Sequence, residues 1–187
     1  MSRKMKVFFS ASVRGNKEAN RRIYFLIKKL GFQTTSKAWE TDFPERYYLM
    51  SDKERNQHVE NVYKHLDEAE IAVLETTLPS FSIGQFIQYA LDHRIPVLTM
   101  YKKNSPLGTL PGLEKLSDKI LVQEYNDQNV EKVLREGINY LKENSETRFT
   151  LILPTKIIKY LDKIAKKGMT RSEYIRKLIE GEMENKG

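Results

Sequence analysis

The sequence predicts an α/β fold built on a parallel sheet, followed by a small unit with a different rhythm. Three observations predict it. Short apolar runs alternate with helical patterns as far as Lys142, which implies parallel strands joined by crossover helices. Gly, Pro and Ser cluster between those segments. A polar break at Glu143–Thr147 is followed by one alternating run and two further helical patterns.

Each element has its own signal. Lys6–Ser10 is a short apolar run, read as a buried strand. Lys17–Leu30 places Ile23, Leu26, Ile27 and Leu30 at helical spacing, and Gly31 supplies the stop. Phe32–Ser36 is a second strand. Lys37–Met50 is irregular and aromatic (Trp39, Phe43, Tyr47, Tyr48), as in a functional loop or short helix. Ser51-Asp-Lys-Glu54 is a capping box that opens a helix running to about Ala69. Glu70–Glu75 is a third strand, and a Pro/Ser loop leads to a helix from about Gly84 to His93. Pro96–Tyr101 and Lys119–Gln123 are the fourth and fifth strands, separated by a loop over Lys102–Gly112, and Asn129–Lys142 is a helix. Five such strands suggest the flavodoxin-like order 2-1-3-4-5, with helices on both faces. A ligand then sits beyond the carboxyl ends of the strands where the order reverses, so the loops after strands 1 and 3 should converge.

The division predicted is residues 1–144 and 145–187. In the second part Phe149, Leu151 and Leu153 share one face of a strand, with Arg148, Thr150 and Ile152 on the other. Pro154 starts a helix carrying Ile157, Ile158, Leu161, Ile164 and Ala165, and Gly168 ends it. Thr170-Arg-Ser-Glu173 is a second capping box, before Tyr174, Ile175, Leu178 and Ile179.

Composition bounds the function. The chain has 187 residues, 40% hydrophobic and 30% charged, with no cysteine. Disulfides and thiolate metal sites are therefore excluded. The three histidines (His58, His65, His93) lack metal-ligand spacing and are read as surface or half-buried residues, so no metal and no cofactor are expected. No apolar run approaches the roughly 18 residues of a membrane span, and no apolar stretch follows the basic start Met1–Lys6. A cytoplasmic protein without a membrane partner is the expectation. The net charge is +7, and ten Lys/Arg against six Asp/Glu fall between Ser145 and Gly187. That excess suits a polyanionic partner or a solvated basic surface.

Two loops carry candidate chemistry. Ser10-Ala-Ser-Val-Arg-Gly15 is a small turn before a helix, suited to holding an anion on backbone N–H groups with help from Ser12 and Arg14. Glu75-Thr-Thr-Leu-Pro-Ser-Phe-Ser-Ile-Gly84 brings Thr77, Ser80 and Ser82 toward the same point. Together with Leu66–Glu75, the segments Ala11-Ser-Val-Arg-Gly15 and Pro79-Ser80…Ile83-Gly84 resemble the nucleoside 2-deoxyribosyltransferases, including their nucleotide N-glycosidase branch. The resemblance covers about Lys6 to Leu141. It implies a nucleoside or nucleotide ligand held by Ser10, Ser12, Val13, Arg14, Gly15, Thr77, Ser80, Ser82 and Gly84. Trp39, Phe43, Tyr47 and Tyr48 fall in the family's base-binding region, where they could stack on a base or simply pack.

The resemblance also locates a departure. Family enzymes attack the sugar with a glutamate two residues after that glycine. Here the position is Phe86, and a one-residue slip gives Gln85; neither can act. The position of the family's aspartate is Val62. Glu75 remains, either to bind or orient a ligand or to cap a neighbouring loop. The expectation is a binding cleft that has lost glycosyl transfer; the alternative is an active transferase or 5′-phosphate N-glycosidase with displaced groups.

The segment Arg148–Met183 resembles a ribbon-helix-helix module. That resemblance implies a homodimer through paired strands, with Arg148, Thr150 and Ile152 reaching the DNA major groove. It places Thr170, Arg171 and Ser172 at a phosphate. Double-stranded DNA is thus an expected partner; a tail used only for assembly is the other reading.

Overall fold

The computed structural model describes residues 3–105, 112, 117–144, 151–165 and 168–185. The chain separates into two compact units, residues 1–145 and 146–187.

The first unit is a five-stranded parallel sheet in the order β2-β1-β3-β4-β5, flanked by helices. The strands are β1 (Lys6–Ala11), β2 (Gln33–Thr34), β3 (Ile71–Glu75), β4 (Val97–Lys102) and β5 (Ile120–Tyr125). The helices between and after them are α1 (Lys17–Lys29), α2 (Phe43–Arg46), α3 (Asp52–Asp67), α4 (Phe81–Asp92) and α5 (Val130–Asn144). Strand β3 is central and every one of its residues is buried, as a strand covered on both faces must be.

Side-chain parity sorts the core into two layers. Val7, Phe9, Ile71, Val73, Leu98 and Met100 face Ile23 and Ile27 of α1 and Leu134 and Ile138 of α5. Phe8, Ala72, Leu74 and Val97 face Val62 and Leu66 of α3 and Ile83 and Ile87 of α4. Each fully buried aliphatic side chain contributes about 1.5–3 kcal/mol, so the alternation along three strands fixes which helix lies on which side.

Local signals set the boundaries. The Asn16 side chain caps α1 by accepting from the Ala19 N–H at 3.0 Å, and Gly31 ends the helix at φ +93°. At α3, Ser51 Oγ accepts from the Glu54 N–H while Glu54 Oε2 accepts from the Ser51 N–H at 2.7 Å. Two expectations shift. β2 is two residues long, not Phe32–Ser36, because buried Tyr24 pulls the chain off the sheet edge. Its hydroxyl bonds Thr34 Oγ1 at 2.8 Å, the Ser36 carbonyl at 3.0 Å and Glu40 Oε1 at 2.6 Å. Burial and that glutamate push the Tyr24 phenol up to about 12. Helix α4 begins at Phe81, three residues before Gly84, because Ser80 is already extended and the Gly84 N–H returns to the Ser80 carbonyl at 3.1 Å. The aromatic segment 38–49 forms two 3₁₀ turns, Ala38–Glu40 and Tyr47–Leu49, on either side of α2.

The second unit contains α6 (Thr155–Ala165) and α7 (Arg171–Glu184). They meet through Tyr160 and Tyr174, whose hydroxyls are 2.9 Å apart, and through an ion pair between Arg171 and Asp162. Thr170 and Glu173 form the predicted capping box. Of the predicted strand, Arg148, Phe149 and Thr150 lie outside the described residues, and Leu151–Pro154 have no regular structure. A lone ribbon strand has no ladder to join, since its hydrogen bonds come from a partner strand.

Candidate functional site

Beyond the carboxyl ends of β1 and β3 lies a cavity of about 400 Å³, within the range of about 300–1,000 Å³ usual for small-molecule sites. It stands where the strand order reverses between neighbours β1 and β3. Four segments build it. The turn after β1 contributes Ser12, Val13 and Arg14, and the start of α4 contributes Ser80, Ser82 and Ile83. The segment 36–48 adds Trp39, Phe43, Tyr47 and Tyr48, and α3 adds His58 and Val62.

The turn after β1 is closed by the Gly15 N–H, which donates to the Ser12 carbonyl at 2.9 Å. A Cβ on Gly15 would stand 3.1 Å from that carbonyl oxygen, so glycine keeps the turn tight. Ser12 is buried, and its Oγ accepts from the Arg14 N–H at 3.3 Å. Arg14 is exposed and reaches across the mouth of the cavity. Its Nε donates to the Tyr48 hydroxyl at 2.8 Å, and the guanidinium lies 5.6 Å from the centre of that ring. Neither terminal nitrogen of Arg14 has a hydrogen-bond partner among the described residues.

The opposite wall is aromatic and contiguous. Tyr48 meets Tyr47 at 5.2 Å between ring centres, Tyr47 meets His58 at 6.0 Å, and His58 stacks on Phe43 at 4.3 Å with the planes 28° apart. Trp39 is buried against Phe9 at 5.8 Å. Burial is the main cause that pulls the His58 imidazole below its ordinary value, with His65 adding to it, which favours the neutral ring.

Of the residues predicted to hold a ligand, Ser10, Ser12, Val13, Arg14, Ser80 and Ser82 line this cavity, and all four predicted aromatics do as well. Gly15, Thr77 and Gly84 do not. Gly15 closes the turn, and Gly84 lies inside α4. Thr77 is engaged elsewhere: its Oγ1 accepts from the Lys102 N–H at 2.8 Å and donates to Glu75.

Phe86 and Val62, the two positions where the sequence resemblance implies acidic residues, both line the cavity. Phe86 packs edge-on against Phe8 at 6.0 Å and Tyr63 at 5.8 Å. No Asp or Glu is among the described lining residues. Glu75 is also outside the cavity. Position 75 shares its face with Ile71 and Val73, under α1 and α5. Its Oε1 accepts from the Thr77 N–H at 3.2 Å, from the Thr77 hydroxyl, and from the Tyr125 hydroxyl at 2.9 Å. Burial raises its carboxyl above the ordinary value despite those bonds.

His58 was not singled out in the sequence. A signal was present: it lies four residues before Val62, hence on the same face of α3. Gln85 is exposed on α4, outside the cavity. In the second unit Thr170 spends its hydroxyl on the Glu173 N–H at 3.2 Å, Arg171 is paired with Asp162, Ser172 is exposed and Ile152 is 95% exposed. Among the described residues no group of His, Asp and Glu could hold a metal, and no helix is long and apolar enough to cross a membrane.

Fold and site together define an α/β protein with a partly aromatic cleft at the switch point of a parallel sheet. No protein-family model matches the chain, and no curated protein matches it. Its chain path is similar to that of a CMP N-glycosidase, BcmB, from Clostridium botulinum. The identity is 14% with a TM-score of 0.48, over 72% of this chain and 98% of that one. It is also similar to a de novo designed Rossmann 2x3 fold protein, with 18% identity and a TM-score of 0.44, over 80% of this chain and 98% of that one.

Proposed function

We propose that the first unit binds a nucleoside or nucleotide without cleaving it, and that the second unit pairs two copies and brings them to duplex DNA. One observation carries the first half. A single cavity joins a hydroxyl-bearing turn and Arg14 to a wall of Trp39, Phe43 and Tyr47, with no carboxylate among its described lining residues. The turn and the cation suit a sugar or phosphate, and the flat rings suit a base. Retaining glycosyl transfer requires a nucleophile at the anomeric carbon, ordinarily a carboxylate. Phe86 cannot serve, and Glu75 lies outside the cavity, committed to Thr77 and Tyr125.

The second half draws on exposed apolar surface. Leu151, Ile152, Ile157, Leu178, Ile179 and Met183 are all exposed in the single chain, and of the described residues in this unit only Leu161 is buried. Two short helices with so little core gain stability by pairing. The basic balance of the segment supports a polyanionic partner.

Trp39 is the only tryptophan and lines the cavity, so its fluorescence reports occupancy directly. Titration with nucleosides and their 5′-monophosphates should give a saturable change with no release of free base. Arg14→Ala should weaken the monophosphates about tenfold or more, the loss of one charge-assisted hydrogen bond. No fluorescence change with any member of the panel overturns the cleft reading. Release of base by the wild-type protein overturns the loss of catalysis.

A further inference from the structure

His58 is a cleft residue with hydrogen-bonding capacity that lies on neither the turn after β1 nor the start of α4. It projects from α3 into the aromatic wall, with its ring fixed between Phe43 at 4.3 Å and Tyr47 at 6.0 Å. Neither ring nitrogen has a hydrogen-bond partner among the described residues, and neither is sealed from solvent. Its neighbours on this wall are apolar (Val59, Val62) or present ring faces and edges. The contacts also give it a place along the cleft. Arg14 bonds Tyr48, and His58 stands two ring-to-ring steps further, of 5.2 and 6.0 Å.

We propose that His58 is the specificity-determining residue of the cleft: it hydrogen-bonds the polar edge of a nucleobase whose sugar-phosphate end is held by Arg14 and the Ser12 turn. This rests on the nucleotide-binding reading above and adds to it the group that recognises the heterocycle. Burial disfavours the imidazolium, and the neutral ring it favours carries one donor and one acceptor nitrogen. The donor meets a ring carbonyl and the acceptor meets an exocyclic amine. A neutral ring can therefore read either kind of base edge by choosing its tautomer. Stacking on Phe43 fixes the plane in which that bond is offered, which makes the contact directional.

The test compares ligands that share a phosphate and differ in having a base. The wild-type chain, His58→Phe and His58→Gln are titrated with the 5′-monophosphates of the common nucleosides and with ribose 5-phosphate, by calorimetry and by Trp39 fluorescence. His58→Phe keeps the stack and removes the hydrogen bond. It should weaken nucleotides about tenfold and leave ribose 5-phosphate unchanged, and His58→Gln, which restores a donor and an acceptor, should recover part of the loss. Equal weakening of ribose 5-phosphate, or nucleotide affinity unaltered in His58→Phe, overturns the assignment while the nucleotide-binding reading stands. Wild-type binding of ribose 5-phosphate with no gain from any base also overturns it. If the wild-type chain binds none of these ligands, both readings fall together.

Discussion

The bond between Tyr125 and Glu75 offers a sharp test of how the carboxyl ends of the strands are held. Tyr125, at the end of β5, is 4% exposed, and Glu75, at the end of β3, is 3% exposed. The Tyr125 hydroxyl donates to Glu75 Oε1 at 2.9 Å. Removing that donor in Tyr125→Phe leaves the ring packing intact and deprives a buried carboxylate of one of its donors. A hydrogen bond to a charged group is worth about 1.5–3 kcal/mol, and one to a neutral group about 0.5–1.5 kcal/mol. All three bonds to Glu75 converge on the one oxygen, Oε1. A glutamine with its oxygen in the same place therefore keeps all three and loses only the charge. Tyr125→Phe should cost about 1.5–3 kcal/mol in the wild-type background and about half that in Glu75→Gln. At 2–4 °C per kcal/mol for a chain of this size, the first loss lowers Tm by about 3–12 °C. The assay is urea unfolding at pH 8 followed by Trp39, which is buried in this same unit, so the four corners of the cycle report one transition. Equal losses in the two backgrounds would refute the reasoning, since they would mean that the Tyr125 hydroxyl does not serve an ionised carboxylate.

Three other outcomes follow from the same physics. Burial raises the Glu75 carboxyl in the folded state, so the fold favours its protonated form. The stability that this lends is full below the unfolded-state value and is lost as pH rises through the raised one. The stability gap between Glu75→Gln and wild type should therefore widen in favour of the variant between pH 4 and pH 8, and a gap that narrows would contradict the assigned direction. Leu178 is 54% exposed on α7, so Leu178→Asp should change the stability of an isolated chain by no more than about 0.5 kcal/mol. In sedimentation it should convert a dimer to a monomer, and a wild-type chain that sediments as a monomer at high concentration rules the dimer out. Duplex binding, if the tail provides it, should fall steeply between 50 and 200 mM salt and weaken in Arg148→Ala; no binding at low salt removes DNA from the account.

The fold was legible because its signals are local and repeated. The apolar runs of β1 and β3, the Ser51/Glu54 and Thr170/Glu173 boxes and the stop at Gly31 each act over a few residues, and five strands alternating with helices suggest the sheet order that is found. What was not legible depends on contacts between distant residues. Nothing near Phe32–Ser36 reveals that the Tyr24 hydroxyl will bond the Ser36 carbonyl and that the strand will stop at Thr34. Nothing near Gly84 reveals that Ser80 is already extended and starts α4 early. At the site, the turn after β1 could be read because one short segment carries it, whereas the spacing to Val62 gives His58 only its face of α3, and its place in the cleft depends on Phe43 and Tyr47 packing beside it. Thr77 misled for the opposite reason: its hydroxyl looks available in the loop but closes a bond from the Lys102 N–H.

The cleft is best understood through what stands where acid groups would act. A carboxylate at position 62 or 86 would sit among Phe8, Ile83 and Ile87, and burying an unpaired charge there is costly. An enzyme accepts that cost because the carboxylate does the chemistry. Here Val62 and Phe86 continue the core into the floor of the cavity, and Phe86 packs edge-on against Phe8. The polar groups of the lining are Ser10, Ser12, Arg14, Ser36, Ser80 and Ser82, the Tyr47 and Tyr48 hydroxyls, the Trp39 indole N–H and His58. Those groups donate and accept hydrogen bonds, and none is a carboxylate nucleophile for a sugar carbon. A cavity floor packed by Val62 and Phe86, with polar groups around it, supports the proposal of a site that holds a ligand intact.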